Sequence, residues 1–264
     1  MTEGNGADKN VVNNTAETGY NNEADAYRRG RPTYHPALAE RIADLHRGQP
    51  PGLLVELGAG TGIFTGQLID QNLEVTAVEP VDAMRSALAE AVPHVSIVAG
   101  TAERTGLPDG AAATVVASQS FHWFNHSGDR PNALDEVCRI LAPGGHLVTV
   151  WNVRDNTVDW VQAYTNVVDR HAGATPRHHT MAWRQAIDGD LRLEAVEDIS
   201  FDNPSPTTAQ GVLDRVMSTS FIAALPPAES TSVREDIAAI VAPLGDDFDY
   251  PYVSELQAWR RRAE

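Results

Sequence analysis

A cluster of glycines, two nearby carboxylates and one ring-rich stretch carry the chemistry legible in this chain. Gly58, Gly60 and Gly62 stand in "VELGAGTGIF", between the apolar run Leu53 to Leu57 and an amphipathic run that opens at Ile63. Glycine removes the Cβ that would hold a ligand off the backbone, and it permits positive φ. A strand, a glycine turn and a helix N-terminus together form the nucleotide-binding corner of a doubly wound sheet. A dinucleotide fingerprint places its glycines first, third and sixth. Here the sixth position is Ile63 and the third glycine comes one residue early, at Gly62, which speaks against a nicotinamide or flavin. Glu79 ends the next apolar run, 21 residues after Gly58. That is close to the offset of about 20 at which an acid accepts ribose hydroxyls. The stretch "SQSFHWFN", Ser118 to Asn125, has four ring side chains in succession from Phe121. Aromatic faces attract cations and exclude water. An imidazole titrating near 6.5 accepts a proton at neutral pH, so His122 is a candidate general base. The alternative is that it orients a neighbour while Phe121, Trp123 and Phe124 pack the loop. His122 and His126 lie four apart with no third ligand following, and no metal site is expected.

The elements around these residues alternate. Residues 36–47 read as a helix with Leu38, Ile42 and Leu45 on one face, ended by "GQPPG". "LLVEL", "EVTAVEP", "VSIVAG", "ATVVAS" and "HLVTVW" read as five strands. Between them "DAMRSALAEAV" is a helix with Asp82 as expected N-cap, and "PNALDEVCRIL" a helix with Pro131 near its first turn. Such units imply an α/β fold, a parallel sheet with helices on both faces, whose ligands sit outside the carboxyl ends of the strands. Further on, "TVDWVQAYTNVVDRHA", "TAQGVLDRVMSTSFIAAL" and "TSVREDIAAIVAPL" read as helices, and "LEAVEDISFDN" as another strand.

Composition bounds the rest. The chain has 264 residues, 42% of them hydrophobic, enough for one large domain with insertions or for a domain plus a lid. No uninterrupted apolar run reaches the roughly 18 residues of a membrane span. The opening "MTEGNGADKN" lacks the parts of a signal peptide. One cysteine, Cys138, rules out a disulfide framework; it sits in an apolar helical stripe and fits a reducing, cytoplasmic compartment. The net charge of −16, from 20 basic and 36 acidic residues, shows no basic stripe beyond "RRGR" and the closing "RRR". Nucleic acid is therefore not an expected partner. Residues 1–18 carry almost no apolar side chains and read as a disordered arm.

"YRRGRPTYHPAL", "VELGAGTG", "VEPVDAM", "GTAE", "QSFHWF" and "ILAPGGHLVTVW" occur in this order. As an ordered set they resemble the class I S-adenosylmethionine-dependent methyltransferases of type 11, closest to the trans-aconitate methyltransferase-like branch. The resemblance covers residues 20–155 well and the remainder loosely. It implies a Rossmann-like sheet of seven strands, the last antiparallel, with a helical lid. Residues 19–155 would then form the donor-binding core with its N-terminal cap, and 156–264 would complete the sheet with lid helices inserted at 155–190 and 205–242. The implied cofactor is S-adenosyl-L-methionine. Its contacts would come from Glu56, Gly58, Ala59 and Gly60; from Glu79, Pro80 and Met84; from Thr101, Ala102 and Glu103; and from Ser118, Gln119 and Ser120. Glu103 would accept from the adenine amino group, and Tyr20, Tyr27, Arg28 and Arg31 are candidates for the methionine carboxylate. His122 and Trp123 are the catalytic candidates. His122, Trp151, His179 and Trp183 are those for the acceptor, with His178, Arg184 and Met217 also suspected. A small-molecule acceptor, in particular a small organic acid or secondary metabolite methylated at oxygen, is the expected partner, and the protein is expected to be a monomer or homodimer. Two rival readings are a nicotinamide-dependent oxidoreductase and a non-catalytic module that binds S-adenosylmethionine.

Overall fold

A computed structural model describes residues 31–49, 51–126, 131–173 and 178–263. Residues 1–18, Tyr20, Tyr27 and Arg28 lie outside the described residues. The strands β1 (Leu53–Leu57), β2 (Val75–Val78), β3 (Ser96–Val98), β4 (Ala112–Ser118), β5 (Leu141–Arg154), β6 (Leu193–Asp202) and β9 (Tyr252–Arg261) form one seven-stranded sheet in the order β3-β2-β1-β4-β5-β9-β6. Pairing is parallel from β3 to β5, and the chain's last strand, β9, runs antiparallel between β5 and β6. The central strands are apolar runs because both faces are covered. Val115, Ala117, Leu147 and Trp151 pack on one face with α4 (Ala133–Ile140) and α6 (Ala182–Asp188). Val116, Val148 and Val150 face the other way, onto α1 (Pro36–Arg47) and α2 (Ile63–Asp70).

Beyond the carboxyl ends of the strands lies a third body with a core of its own. It joins α5 (Asp159–Asp169), α7 (Ala209–Met217) and α9 (Pro227–Val241) to the two-stranded pair β7 (Ser205–Thr208) and β8 (Asp247–Tyr250). Segment 178–188 is not part of this core, since Trp183 and Ile187 on α6 join the packing under the sheet.

Several local expectations shift. Asp82 is the first residue of α3 (Asp82–Ala91), not its cap; it pairs with Arg85, and its charge suits the positive end of the helix. Asn132 caps α4, its side chain accepting from the Leu134 N–H at 2.8 Å, and Pro131 stands just before that cap, near the first turn as expected. The single helix expected through residues 208–225 breaks after Met217, and a short α8 (Ser220–Ala223) follows. There the Ser218 and Thr219 hydroxyls both donate to the Arg215 carbonyl and compete with helical bonding. β5 extends beyond "HLVTVW" in both directions, back to Leu141 opposite Ala112 and forward to Arg154 opposite Tyr252. That forward extension carries β5 to the cavity described next.

Candidate active site

The loops that follow β1 to β5 converge on one cavity of about 350 Å³. Its floor is the glycine turn. Gly58 holds φ +67, and a Cβ there would come within 2.8 Å of the Ser120 Cβ, so the turn after β1 and the loop after β4 meet only because Gly58 has no side chain. Gly60, at φ +57, has nothing within 4 Å of where its Cβ would stand, and it lines the cavity; a side chain there would project into open room. Glu79 closes this corner. Its carboxylate accepts from the backbone N–H groups of Gly60 and Val81, each at 2.9 Å. Burial pushes its pKa upward against these two bonds.

Beneath the turn sits Glu56, fully buried and outside the cavity wall. Thr65 and Ser118 each donate a hydroxyl to it at 2.6 Å, tying β1 to α2 and to the end of β4. Burial raises its pKa to about 7, with the Glu79 charge adding to the rise. Glu56 was expected to touch the ligand, and the structure corrects this. Side chains alternate along β1, and this one points into the sheet's packing, where both carboxylate oxygens have protein partners.

The ring-rich loop is fixed where it leaves β4. Ser120 donates to the Leu57 carbonyl at 2.8 Å, and the Gln119 side-chain amide donates to the Asn152 carbonyl at 2.7 Å. Gln119 adopts φ +51, a conformation that costs a non-glycine residue about 1–2 kcal/mol. The strain turns the chain so that Phe121 is buried while His122, Trp123 and Phe124 reach the cavity. Behind His122 stands a stack of rings: Trp151 lies 5.5 Å from His122, 4.5 Å from His178 and 4.7 Å from Trp183. Burial pushes the His178 pKa down to about 4, so its ring is neutral near pH 7.

Across the mouth runs segment 31–35. Tyr34 and Gln67 exchange two hydrogen bonds at 3.1 and 2.8 Å, and Asn152 donates to the Thr33 carbonyl at 3.1 Å. Arg31 lines the cavity from this segment.

Residues 55–149 match the methyltransferase domain family. An uncharacterized methyltransferase of Mycobacterium tuberculosis (strain H37Rv) is 31% identical over 204 residues, which is 72% of this chain and 81% of that protein. The chain belongs to the class I S-adenosylmethionine-dependent methyltransferases. An uncharacterized methyltransferase-like protein of Schizosaccharomyces pombe is 30% identical over 215 residues, covering 81% of this chain and 82% of its own. A solved structure from Anaeromyxobacter dehalogenans, provisionally assigned as a type II methyltransferase, shares the fold. Its TM-score is 0.64 at 22% identity, covering 88% of this chain and 97% of that one.

In this methyltransferase the cavity gathers Arg31, Gly58, Ala59, Gly60, Glu79, Pro80 and Met84 with Thr101, Ala102, Glu103, Ser118, Gln119 and Ser120. His122, Trp123, His178 and His179 line it as well. Glu103 is already engaged on one side, accepting from the Asn125 N–H at 2.8 Å. Trp151 and Trp183, expected at the acceptor, are fully buried behind His122 and His178, because their positions on β5 and α6 face the sheet's core. Arg184 pairs instead with Asp198 at 2.7 Å, and Met217 packs in the third body's core; neither lines the cavity. Sequence reasoning missed Thr61, Asn152, Arg154 and Arg215, which do. Asn152 and Arg154 follow "HLVTVW" at a strand's carboxyl end, where ligands were expected. Arg215 lies on an amphipathic helix and carried no such signal.

Proposed function

We propose that this methyltransferase uses S-adenosylmethionine to methylate an oxygen of a small-molecule acceptor, a small organic acid or secondary metabolite, within this cavity. The observation that carries the reading is continuity: one cavity runs from the glycine turn past His122 and Trp123 to the face of the third body. Donor and acceptor can thus meet without either passing through bulk water.

The residues present fit the donor. Gly60 leaves room that a Cβ would fill, and the Thr61 hydroxyl is buried at the cavity with no partner among the described residues. Glu79 spends one lone pair of each oxygen on a backbone N–H; a carboxylate has about four, so two remain for the ribose hydroxyls. Glu103 keeps its second oxygen for the adenine amino group. Arg31 is suited to the methionine carboxylate, which its planar fork can bond at both oxygens. When bound, S-adenosylmethionine supplies an electrophilic methyl: the acceptor oxygen bonds to that carbon as its bond to sulfur breaks, the electron pair stays on sulfur, and S-adenosylhomocysteine leaves.

The protein's part is positioning and exclusion of water. Trp123 and Phe124 wall the transfer point, and their ring faces favour positive charge nearby. A carboxylate acceptor needs no base, and His122 then only positions it. A hydroxyl acceptor would lose its proton to a ring nitrogen of His122.

Calorimetric titration with S-adenosylmethionine and S-adenosylhomocysteine tests the donor assignment. Micromolar binding is expected. In Glu79→Ala it should weaken by about 10- to 100-fold, since hydrogen bonds to a charged group contribute about 1.5–3 kcal/mol. Absence of binding to folded wild-type protein, with binding of a nicotinamide nucleotide instead, would defeat the reading.

A further inference from the structure

The wall of the cavity built by the end of β5 and by α7 has a different chemistry. Arg154, the last residue of β5, and Arg215 on α7 line it, with Thr165 and Thr219 beside them. Behind the arginines stand three tyrosines from separate elements: Tyr164 on α5, Tyr250 on β8 and Tyr252 on β9. They are 0%, 2% and 3% exposed, and none of their hydroxyl oxygens has a hydrogen-bond partner among the described residues. The Arg154 guanidinium lies 4.8 Å over the Tyr164 ring, and that of Arg215 lies 5.3 Å over the Tyr252 ring. Tyr250 stacks on Tyr252 at 4.4 Å and meets Tyr164 edge-on at 5.9 Å.

Ring faces hold a guanidinium in place without neutralising it. Burial keeps the Tyr250 and Tyr252 hydroxyls above the usual phenol range, so neither supplies a counter-charge near pH 7. Asp169 attracts Arg154 only through space. Among the described residues no carboxylate pairs with Arg154, whose one side-chain hydrogen bond is a long contact of 3.5 Å to Thr165. The chain is rich in acids, with net charge −16, and arginines elsewhere do pair with them: Arg41 with Glu197, Arg139 with Glu136 and Asp109, Arg192 with Asp190 and Asp135. The Arg154 guanidinium, facing the cavity over a tyrosine ring with no carboxylate paired to it among the described residues, is placed to meet charge from outside the protein.

We propose that Arg154 and Arg215 form an oxyanion subsite that holds a carboxylate or phosphate group of the acceptor, at the end away from the atom that is methylated. This rests on the methyl-transfer reading above and narrows its acceptor class. The group held here is an anchor and not the nucleophile. Hydrogen bonds from two guanidinium groups draw on the same lone pairs that would attack the methyl carbon. An acid acceptor would therefore carry at least two acidic groups, one held and one methylated. A hydroxyl acceptor would carry one. The position agrees with the sheet: the donor corner lies over the ends of β1 to β3, and Arg154 ends β5 on the far side of the His122 loop.

The test uses the full chain and its variants Arg154→Gln, Arg154→Lys and Arg215→Gln. Succinate, propane-1,2,3-tricarboxylate and inorganic phosphate are titrated with and without saturating S-adenosylhomocysteine, with succinamide as the uncharged control. At least one oxyanion should bind the wild type while succinamide does not. That binding should weaken at least tenfold in each glutamine variant and recover in part in Arg154→Lys, with affinity for S-adenosylhomocysteine changed less than twofold. Circular dichroism confirms folding, and the lysine variant retains the test if a glutamine variant unfolds. The proposal is overturned if no oxyanion binds the wild type under either condition. It is also overturned if the glutamine variants lose S-adenosylhomocysteine but keep 5′-methylthioadenosine, which lacks the amino-acid tail; the arginines would then hold the donor's own carboxylate. Wild-type protein that binds oxyanions but not S-adenosylhomocysteine would overturn the methyl-transfer reading on which the proposal rests.

Discussion

Glu56→Gln should make the protein more stable at alkaline pH, although it alters the most deeply buried acid beside the site. Burial lifts the Glu56 pKa from 4.5 to about 7, so the native state holds this proton more tightly than the unfolded chain does. Its contribution is fully present below pH 4.5 and is lost as pH rises through 7. At about 1.4 kcal/mol per pH unit, the loss amounts to about 3 kcal/mol by pH 8. Glutamine never ionises. It can accept from one of the Thr65 and Ser118 hydroxyls and donate to the other, because both are rotors. Urea unfolding of both proteins, followed by circular dichroism between pH 4.5 and 8, reads the difference. The variant's stability relative to wild type should climb by about 3 kcal/mol across that range. Taking the difference cancels Glu255, raised by burial, and His46, His126, His146 and His178, lowered by it, which are common to both; Glu79 is coupled to Glu56 through its charge, so the difference reports on Glu56 together with that coupling. Parallel stability curves for the two proteins would refute a buried, pKa-shifted Glu56.

Three further outcomes are expected. Gly60→Val should abolish S-adenosylhomocysteine binding in calorimetry while costing about 1–2 kcal/mol of stability, because its side chain enters the cavity and its φ of +57 is strained. With a hydroxyl acceptor, His122→Asn should lower kcat by about 10²- to 10⁴-fold in a methyl-transfer assay; with a carboxylate acceptor the loss should be below tenfold, and donor affinity should hold in both. Cys138 should resist iodoacetamide at pH 8 in the native protein and react in urea, as read by mass spectrometry, because burial raises its thiol pKa to about 11.

What the sequence alone determined about this protein is local. The glycine turn, Glu79 and the ring loop each lie within a few residues of a strand's end, and a strand's end is where a parallel sheet places its ligands. An apolar run, a turn and a helix start specify that geometry through their own spacing, and Gly58, Gly60, Glu79, His122, Trp123 and Phe124 do line the cavity. The final antiparallel strand was legible only through the resemblance. Which face a side chain takes was not legible. Trp151 ends the run "HLVTVW" and looked like an acceptor residue, yet the pleat turns it into the core, while Arg154, three residues later, reaches the cavity. The pairings decided by tertiary structure are distant in the chain. Glu56 meets Ser118 across 62 residues, and the bed of Tyr164, Tyr250 and Tyr252 comes from one helix and two strands. Such contacts depend on which buried faces pack together, and the third body's placement over the strand ends brings Arg215 to the same cavity as Arg154. Spacing within one segment carries no information about that packing, because the free energy that fixes it comes from surfaces meeting far along the chain.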